Sequence, residues 1–359
     1  MNTPKKTKQL VYNGRFSTQK TTGVQRVARE LIAALVRVQP QGSITVLVPP
    51  HADATVDGTT TLKVGFSKGV IWEQLALPLF SSRNRIVNLS NSASVFLGNQ
   101  IIYMHDAAVF DTPAHFSRLF RAWYRVMFWI LARTSLCVLT NSRFSRDRLA
   151  HHCGVSTEKI SVVPLGADHL DALEPDASIL KTLSLTPGKF VLAVSSMNPT
   201  KNFGRLIAAF RQINDPSVDL VIVGMRNAAV FGTQDDIAAT GQNIKYAGYI
   251  SDEQLKALYQ HAVCFLYPSI YEGFGIPPLE AMRQGCPTLV GRSAALPEVC
   301  GDAALYCDPY SRDDIAEKLR NLLDSAELRA DLKRRGYSHA AQYSWRKSAE
   351  MMTRIFDSL

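Results

Sequence analysis

Two carboxylates stand on either side of a glycine-rich turn in the segment Tyr271-Glu-Gly-Phe-Gly-Ile-Pro-Pro-Leu-Glu280. The paired prolines favour the first turn of a helix, and the glycines let the backbone approach a ligand closely. Backbone N–H groups at such a helix start bind phosphate, while carboxylates accept hydrogen bonds from the diols of a sugar. The segment therefore predicts a site for a phosphorylated, hydroxyl-rich ligand. The alternative makes Glu280 a helix cap and Glu272 a solvated loop residue.

Three further groups that could do chemistry lie next to predicted strands. Lys201 and Asn202 come after one apolar strand, and His105 and Asp106 come after another. In open parallel sheets ligands bind beyond the carboxyl ends of the strands, so these positions suit a site. The third group lies in the first strand-to-helix loop and its helix start, and comprises Arg15, Gly23, Gln25 and Arg26. The alternatives are a solvated lysine, a structural histidine and a flexible polar loop.

Short apolar segments alternate with amphipathic ones along both halves of the chain. Predicted strands lie at residues 9–12, 43–48, 85–89, 100–104 and 136–140, then at 189–194, 218–223, 244–247, 263–267 and 288–290. Predicted helices include residues 23–35, 202–213 and 252–261. A chain of 359 residues exceeds the usual size of one core. The repeated alternation predicts two Rossmann-like α/β domains with parallel, doubly wound sheets and a ligand cleft between them. The join is expected in the polar stretch Asp168–Gly188.

The segment Glu272-Gly-Phe-Gly-Ile-Pro-Pro-Leu-Glu280 resembles the E-x7-E signature of retaining GT-B glycosyltransferases of family 4. The resemblance covers nearly the whole chain, and includes residues 140–147, 160–168, 248–259, 281–288 and 296–309. It implies an N-terminal acceptor-binding domain over residues 1–170 and a C-terminal nucleotide-sugar-binding domain over residues 171–340. It also implies that the final helix, within residues 341–359, crosses back to the N-terminal domain.

The resemblance implies roles for individual residues. Glu280 would hold the ribose hydroxyls, while Glu272 would face the donor sugar or its leaving phosphate. Lys201 would neutralise the diphosphate and His105 would position the donor sugar, so that His105, Glu272 and Lys201 form the catalytic set. The other donor-binding positions are Gly23, Ser196, Asn202, Gly224, Tyr249, Ile250, Gly273, Phe274, Gly275 and Ile276. The acceptor is assigned to Arg15, Gln25, Arg26 and Asp106.

One cation that the family usually has is missing from its expected place. An arginine normally stands a few residues upstream of Lys201, where this chain reads Ser195-Ser196-Met197. The departure makes Lys201 more important for the diphosphate. The sequence also contains no D-x-D triplet, which chelates a metal–diphosphate in another glycosyltransferase architecture. We therefore expect leaving-group stabilisation by Lys201 and a helix dipole, with no metal and no cofactor besides the nucleotide sugar.

The composition indicates a globular protein with a basic surface. Forty Lys and Arg stand against 31 Asp and Glu, and nucleic-acid-binding motifs are absent, so no nucleic-acid partner is expected. Six scattered cysteines and the lack of an apolar signal or membrane-spanning run fit a cytoplasmic protein. Residues 116–133 combine Arg118, Arg121 and Arg125 with aromatic side chains at helical spacing. Such a helix suits an anionic membrane surface, which would place the protein on the inner face of the cell membrane. It suits equally a core helix with an arginine-bearing solvent face.

The predicted reaction is transfer of a hexose from a nucleoside diphosphate sugar to a lipid-linked or oligosaccharide acceptor in polysaccharide or lipopolysaccharide synthesis. The resemblance implies that the anomeric configuration is retained. Residues 22–30 resemble mannosyl- and rhamnosyltransferases of bacterial polysaccharide assembly, which makes GDP-mannose the leading donor. A UDP-sugar donor and a non-catalytic sugar-nucleotide-binding protein are the alternatives. A two-domain dehydrogenase is disfavoured, because no G-x-G-x-x-G follows an early strand.

Overall fold

The computed structural model describes residues 9–19, 22–52, 55–80, 84–194, 198–224 and 243–359. The chain divides into two compact units. The first unit comprises Met1–Leu165 and Trp345–Leu359, and the second unit comprises Gly166–Ser344. Each unit contains one parallel sheet with helices, which confirms the predicted fold class.

Seven parallel strands form the sheet of the first unit, in the order β3-β2-β1-β4-β5-β6-β7. They are β1 (Leu10–Asn13), β2 (Thr45–Val48), β3 (Thr60–Lys63), β4 (Arg85–Asn88), β5 (Gln100–Tyr103), β6 (Cys137–Thr140) and β7 (Ile160–Val162). Every residue of β2, β5 and β6 is buried, as expected for a parallel sheet that is covered on both faces. The edge strand β3 is mostly exposed.

The helices of the first unit pack around this sheet. They are α1 (Gly23–Val38), α2 (Gly69–Ile71), α3 (Leu77–Phe80), α4 (Ala108–Asp111), α5 (Arg118–Thr134), α6 (Arg143–Cys153) and the last helix of the chain, α14 (Trp345–Asp357). Short 3-10 helices cover Gly14–Thr18, Pro113–His115 and Thr157–Lys159, and a π-helical turn covers Trp72–Ala76. Helix α14 packs against α1, and the Gln39 amide donates to the Thr353 hydroxyl at 3.2 Å.

Six parallel strands form the sheet of the second unit, in the order β10-β9-β8-β11-β12-β13. They are β8 (Phe190–Val194), β9 (Asp219–Val223), β10 (Ile244–Gly248), β11 (Cys264–Tyr267), β12 (Thr288–Gly291) and β13 (Leu305–Cys307). Its helices are α7 (Ser178–Thr182), α8 (Phe203–Ile213), α9 (Asp252–His261), α10 (Ile276–Arg283), α11 (Leu296–Cys300), α12 (Arg312–Asp324) and α13 (Ala326–Ala340), with a 3-10 turn at Pro199–Lys201. Phe203, Phe210 and Leu319 pack α8 and α12 together in the core of this unit.

In both sheets the strand order reverses at one point. The reversal lies between β1 and β4 in the first unit and between β8 and β11 in the second. Connections leave such a pair of strands in opposite directions and open a crevice at their carboxyl ends, where ligands bind. Lys201 follows β8, Glu272 follows β11 and Arg15 follows β1. These predicted site residues therefore lie where each sheet offers a binding crevice.

The join between the two units lies after Leu165, and not in the stretch Asp168–Gly188 that the sequence suggests; the chain returns to the first unit after residue 344. The polar groups of that stretch are bonded within the second unit. Lys256 Nζ donates to the Asp171 backbone oxygen at 3.0 Å, and Arg283 pairs with the Asp171 carboxylate at 2.6 Å. The polar composition reflects these partners and not a linker.

No helix within the described ranges has the length and apolar content needed to cross a membrane. The six cysteines are all buried, and none is bonded to another.

Candidate active site

Lys201 and Glu272 form an ion pair at the crevice of the second sheet. The Lys201 ammonium donates to both carboxylate oxygens of Glu272, at 2.6 and 2.7 Å, and to the Tyr267 hydroxyl at 3.2 Å. The two charged side chains are only 17% and 10% exposed. The structure therefore brings together the two predicted catalytic residues of this unit. Glu272 is a buried ion-pair partner and not a solvated loop residue.

Glu280 lies on the second turn of α10 and is not a helix cap. The Tyr259 hydroxyl donates to Glu280 Oε2 at 2.9 Å, and His169 Nε2 lies 3.1 Å from Glu280 Oε1. Burial, and after it the charge of Glu280, raises the pKa of Tyr259 well above its usual value, so the phenol stays a donor at neutral pH. A carboxylate oxygen has two lone pairs, so Glu280 retains capacity to accept from a ligand diol.

The loop before α10 has a backbone conformation that favours glycine. Gly275 precedes the helix with a φ of +110°, and a Cβ at this position would lie 2.7 Å from Leu296 Cδ2. Phe274 is buried and packs edge-on against Tyr343, with ring centroids 5.8 Å apart. These contacts hold the backbone at a helix start, where the dipole favours an anion. The predicted phosphate-binding residues lie together here: Gly273, Phe274, Gly275 and Ile276.

Asn202 ties several elements of the second unit together. Its backbone is left-handed, with a φ of +63°, between the 3-10 turn and α8. Its amide nitrogen donates to the backbone oxygens of Pro268 at 3.0 Å and Pro309 at 2.6 Å, and its amide oxygen accepts from Arg205 at 2.9 Å. The side chain thus fixes the turn that carries Lys201, while its predicted contact with the donor stays a prediction.

The remaining predicted donor residues of the second unit lie after neighbouring strands. Gly224 follows β9, and its N–H donates to the backbone oxygen of Gly248 at 2.9 Å. Tyr249 and Ile250 follow β10, and Tyr249 is 63% exposed. Ser196 lies outside the described residues.

His105 follows β5 in the first unit and is buried. Its ring Nε2 lies 2.9 Å from the backbone oxygen of Leu89; since a carbonyl only accepts, Nε2 carries the proton. Burial lowers the pKa of His105 to about 4, against the opposing effect of the Leu89 hydrogen bond. The imidazole is therefore neutral at pH 7, with Nδ1 as an acceptor. The backbone N–H of His105 donates to the side-chain oxygen of Asn91 at 2.6 Å. The neighbouring Asp106 carboxylate accepts from the Ala108 N–H at 2.8 Å, at the start of α4.

A buried carboxylate that sequence reasoning missed, Glu73, organises the crevice of the first sheet. Its Oε1 accepts from Asn13 and Ser92, both at 2.9 Å, and its Oε2 accepts from Arg15 at 2.7 Å. Asn13 also donates to Asn88 at 2.9 Å, so the ends of β1 and β4 share the network. Glu73 lies in the π-helical turn, a feature frequent at functional sites. Its signal in the sequence is a single charge in the otherwise largely apolar run 69–80.

The other predicted residues of the first unit share the first turn of α1. Gln25 closes this helix start: its side-chain oxygen accepts from the Thr22 N–H at 3.3 Å, and its amide donates to Gln19 at 3.0 Å. Gly23 is exposed, and no described atom beyond its own neighbours lies within 4 Å of a Cβ built there. Arg26 is half-buried on the same turn. The backbone of Gly23 is therefore open to a ligand.

The second unit combines a cation, a helix start and two carboxylates beyond the carboxyl ends of β8 and β11. Phosphate oxygens fit the ammonium and the helix start, and sugar hydroxyls fit the carboxylates, which is the chemistry of a sugar nucleotide. Over the described ranges, no group of three or more His, Cys, Asp and Glu side chains is arranged to hold a metal ion. Two parallel-sheet units of this kind agree with the predicted GT-B fold.

Residues 178–339 match the protein family described as Glycosyl transferases group 1. The match runs from α7 into α13 and includes Lys201, Glu272 and Glu280. The match lies within the second unit, and together with the relatives below it confirms the prediction of a glycosyltransferase.

Two curated relatives and one solved structure show what the chain is similar to. O-antigen chain mannosyltransferase B of Escherichia coli is 29% identical over 262 residues, which are 69% of this chain and 68% of that protein. Serotype-specific mannosyltransferase WbdA of Escherichia coli is 27% identical over 229 residues, and the match spans only 27% of its length. The crystal structure of Anabaena Alr3699/HepE in complex with UDP and glucose has a TM-score of 0.74 and 18% identity, over 98% of this chain and all of that one. The structural match concerns the fold.

Proposed function

We propose that the chain transfers a mannosyl group from GDP-mannose to a hydroxyl of a lipid-linked or oligosaccharide acceptor in bacterial polysaccharide synthesis. Two relatives with named mannosyltransferase activity support the sugar and the process. The observation that carries the proposal is the Lys201–Glu272 pair beside the glycine-rich start of α10. In the proposed complex this cation lies beside the leaving diphosphate of the sugar nucleotide.

In the proposed donor complex the diphosphate lies against the start of α10 and the Lys201 ammonium. Cleavage of the sugar–phosphate bond moves negative charge onto the leaving phosphate, and a fixed ammonium stabilises that charge. The diphosphate has to compete with Glu272 for Lys201, because both oxygens of Glu272 already accept from Nζ. Glu280, held by Tyr259, accepts from the ribose hydroxyls.

We propose that the anomeric configuration is retained through a front-face reaction. The bond between C1 and the phosphate oxygen breaks, with its electron pair moving to the phosphate. The acceptor oxygen bonds to C1 on the same face, and its proton passes to the leaving phosphate. Pairing of Glu272 with Lys201 disfavours Glu272 as a covalent nucleophile. For His105, which is neutral at pH 7, a role in positioning the donor sugar stays a prediction from the family resemblance.

The donor is tested by thermal shift with GDP-mannose, UDP-glucose and ADP-glucose, because a ligand that binds the folded state raises Tm. We expect the largest rise with GDP-mannose. Lys201→Ala should lower kcat, because it removes charge stabilisation made in the transition state, whereas Glu280→Ala should raise the donor KM. An unchanged kcat in Lys201→Ala would contradict the role of this lysine.

A UDP-sugar is the second candidate donor, and the bound UDP and glucose of the Anabaena structure favour it. A larger Tm rise with UDP-glucose than with GDP-mannose would select it. Binding of a sugar nucleotide without turnover, tested with lipid-linked and oligosaccharide acceptors, would instead indicate a non-catalytic binding protein. Product analysis by NMR of the new anomeric proton tests retention.

A further inference from the structure

Helix α5 of the first unit carries apolar side chains on two faces. Met127, Phe128, Leu131 and Ala132 are buried in the core. On the other side Leu119, Trp123, Val126 and Trp129 follow one another at spacings of three and four residues, and are 82%, 36%, 54% and 51% exposed. We call these four side chains the α5 outer face. A contiguous row of exposed apolar side chains opposite the buried face marks a surface that binds a partner.

The charge around α5 indicates what this partner is. Helix α5 contains four arginines and no acidic residue. Residues 116–160, which include α5 and α6, contain eight Lys and Arg against two Asp and Glu, and so carry six of the nine net positive charges of the chain. The Arg133 guanidinium lies 3.9 Å from the centre of the Trp129 ring. Apolar side chains with arginines beside them fit a surface that is anionic outside and apolar beneath.

A cavity of about 260 Å³ lies beside the α5 outer face, lined by Phe110, Arg125, Val126, Trp129 and His152. Three of the lining residues are held by further contacts within the first unit. Arg125 donates to the backbone oxygens of Val109 at 3.1 Å and Phe110 at 3.3 Å, and the Phe110 ring stacks on His152 at 4.7 Å. Mostly apolar walls with one guanidinium, that of Arg125, suit the first carbons of a lipid chain below its phosphate.

We propose that the α5 outer face lies in the surface of an anionic bilayer, with Trp123, Val126 and Trp129 among the first carbons of the lipid chains and the arginines at the phosphates. A second copy of the chain fits this face less well, because a symmetric contact would bring two arginine-rich helices together. The membrane proposal does not depend on which sugar nucleotide is the donor. A negative result for vesicle binding would therefore leave the proposed mannosyl transfer untouched, and the reverse also holds.

Intrinsic fluorescence tests the proposal directly, because the chain has four tryptophans. Trp72 and Trp345 are fully buried, whereas Trp123 and Trp129 lie on the α5 outer face. With vesicles of phosphatidylcholine and phosphatidylglycerol we expect a blue shift of the emission and protection from iodide quenching. Vesicles of phosphatidylcholine alone should produce neither effect, and high salt should weaken both. Unchanged emission with anionic vesicles would overturn the proposal.

Vesicle sedimentation with variants gives the second measurement. The triple variant Trp123→Ser, Val126→Ser, Trp129→Ser should lower the partition coefficient by about tenfold or more. The matched control Tyr310→Ser, which removes another exposed aromatic ring, should bind like the wild type. Equal binding of the triple variant, or a wild-type dimer that dissociates on this substitution and ignores vesicles, would overturn the proposal. If the triple variant does not fold, the wild-type fluorescence decides.

Discussion

Replacing Glu272 with Gln should tighten binding of the donor diphosphate and slow the transfer reaction. In the structure the Lys201 ammonium is shared between the two oxygens of Glu272, at 2.6 and 2.7 Å. A diphosphate therefore meets a cation whose charge is already balanced. Glutamine keeps the size of the side chain and removes its charge, so Lys201 becomes available to the phosphates. The reaction slows because Nζ loses the partner that holds it in place.

The expected magnitude follows from the distances. Two unit charges 4 Å apart interact by about 4 kcal/mol at an effective dielectric constant of about 20, and the Lys201–Glu272 contact is shorter. Most of this energy is offset when the freed ammonium and the diphosphate lose water. We expect about 1.4 kcal/mol of this energy to remain as a net gain in GDP binding by Glu272→Gln, which equals a tenfold lower Kd.

Isothermal titration with GDP measures the effect without any acceptor. Glu272→Gln should bind GDP more tightly than the wild type, and Lys201→Ala more weakly. The double variant Lys201→Ala, Glu272→Gln should bind GDP more tightly than Lys201→Ala alone, because the uncharged glutamine does not repel the phosphates. The control is Glu280→Gln, which should weaken binding through the lost ribose contact. If Glu272→Gln weakened GDP binding as Glu280→Gln does, Glu272 would be a donor ligand and not a competitor for Lys201.

Three further predictions concern stability, measured by urea unfolding. The pKa of His105 is lowered to about 4 in the folded state, so the unfolded chain binds more protons below pH 6.5. The wild type should therefore lose about 3 kcal/mol between pH 6.5 and 4, a loss that His105→Gln should not show. Gly275→Ala should destabilise by about 1–3 kcal/mol, because φ is +110° and the new Cβ meets Leu296. Glu73→Gln should cost about 3–5 kcal/mol by leaving Arg15 unpaired, and the double variant with Arg15→Met should recover part of it; no recovery would contradict the ion-pair explanation.

Within the described residues the sequence predicted every interior strand and one edge strand, β10, and missed the other three edge strands. Predicted residues 189–194 and 263–267 differ by one residue from β8 and β11, because continuous apolar runs mark a covered parallel strand. Strands β3, β7 and β13 were not predicted, and all three lie at the edge of a sheet. An edge strand needs no continuous apolar run, so composition does not distinguish it from a loop.

The site was predictable only where its residues are close in sequence. The turn before α10 that is predicted to bind phosphate is one contiguous motif, and its place at a helix start is confirmed. The ion pair joins Lys201 to a residue 71 positions away, and no local spacing indicates it. Glu73 was missed for the same reason, since all the groups that bond to its carboxylate come from other elements.

The two carboxylates of the glycine-rich segment differ in a way that their symmetry in the sequence conceals. The charge of Glu272 is balanced by the Lys201 ammonium. An anionic ligand that binds Lys201 takes this partner away from Glu272. Glu280 instead accepts from the neutral phenol of Tyr259 and lies 3.1 Å from His169 Nε2, and a ligand diol adds to these contacts through a remaining lone pair. Donor binding should therefore disturb the surroundings of Glu272 and leave those of Glu280 nearly unchanged. This difference fits one residue that acts with the leaving phosphate and another that holds a part of the donor that does not react.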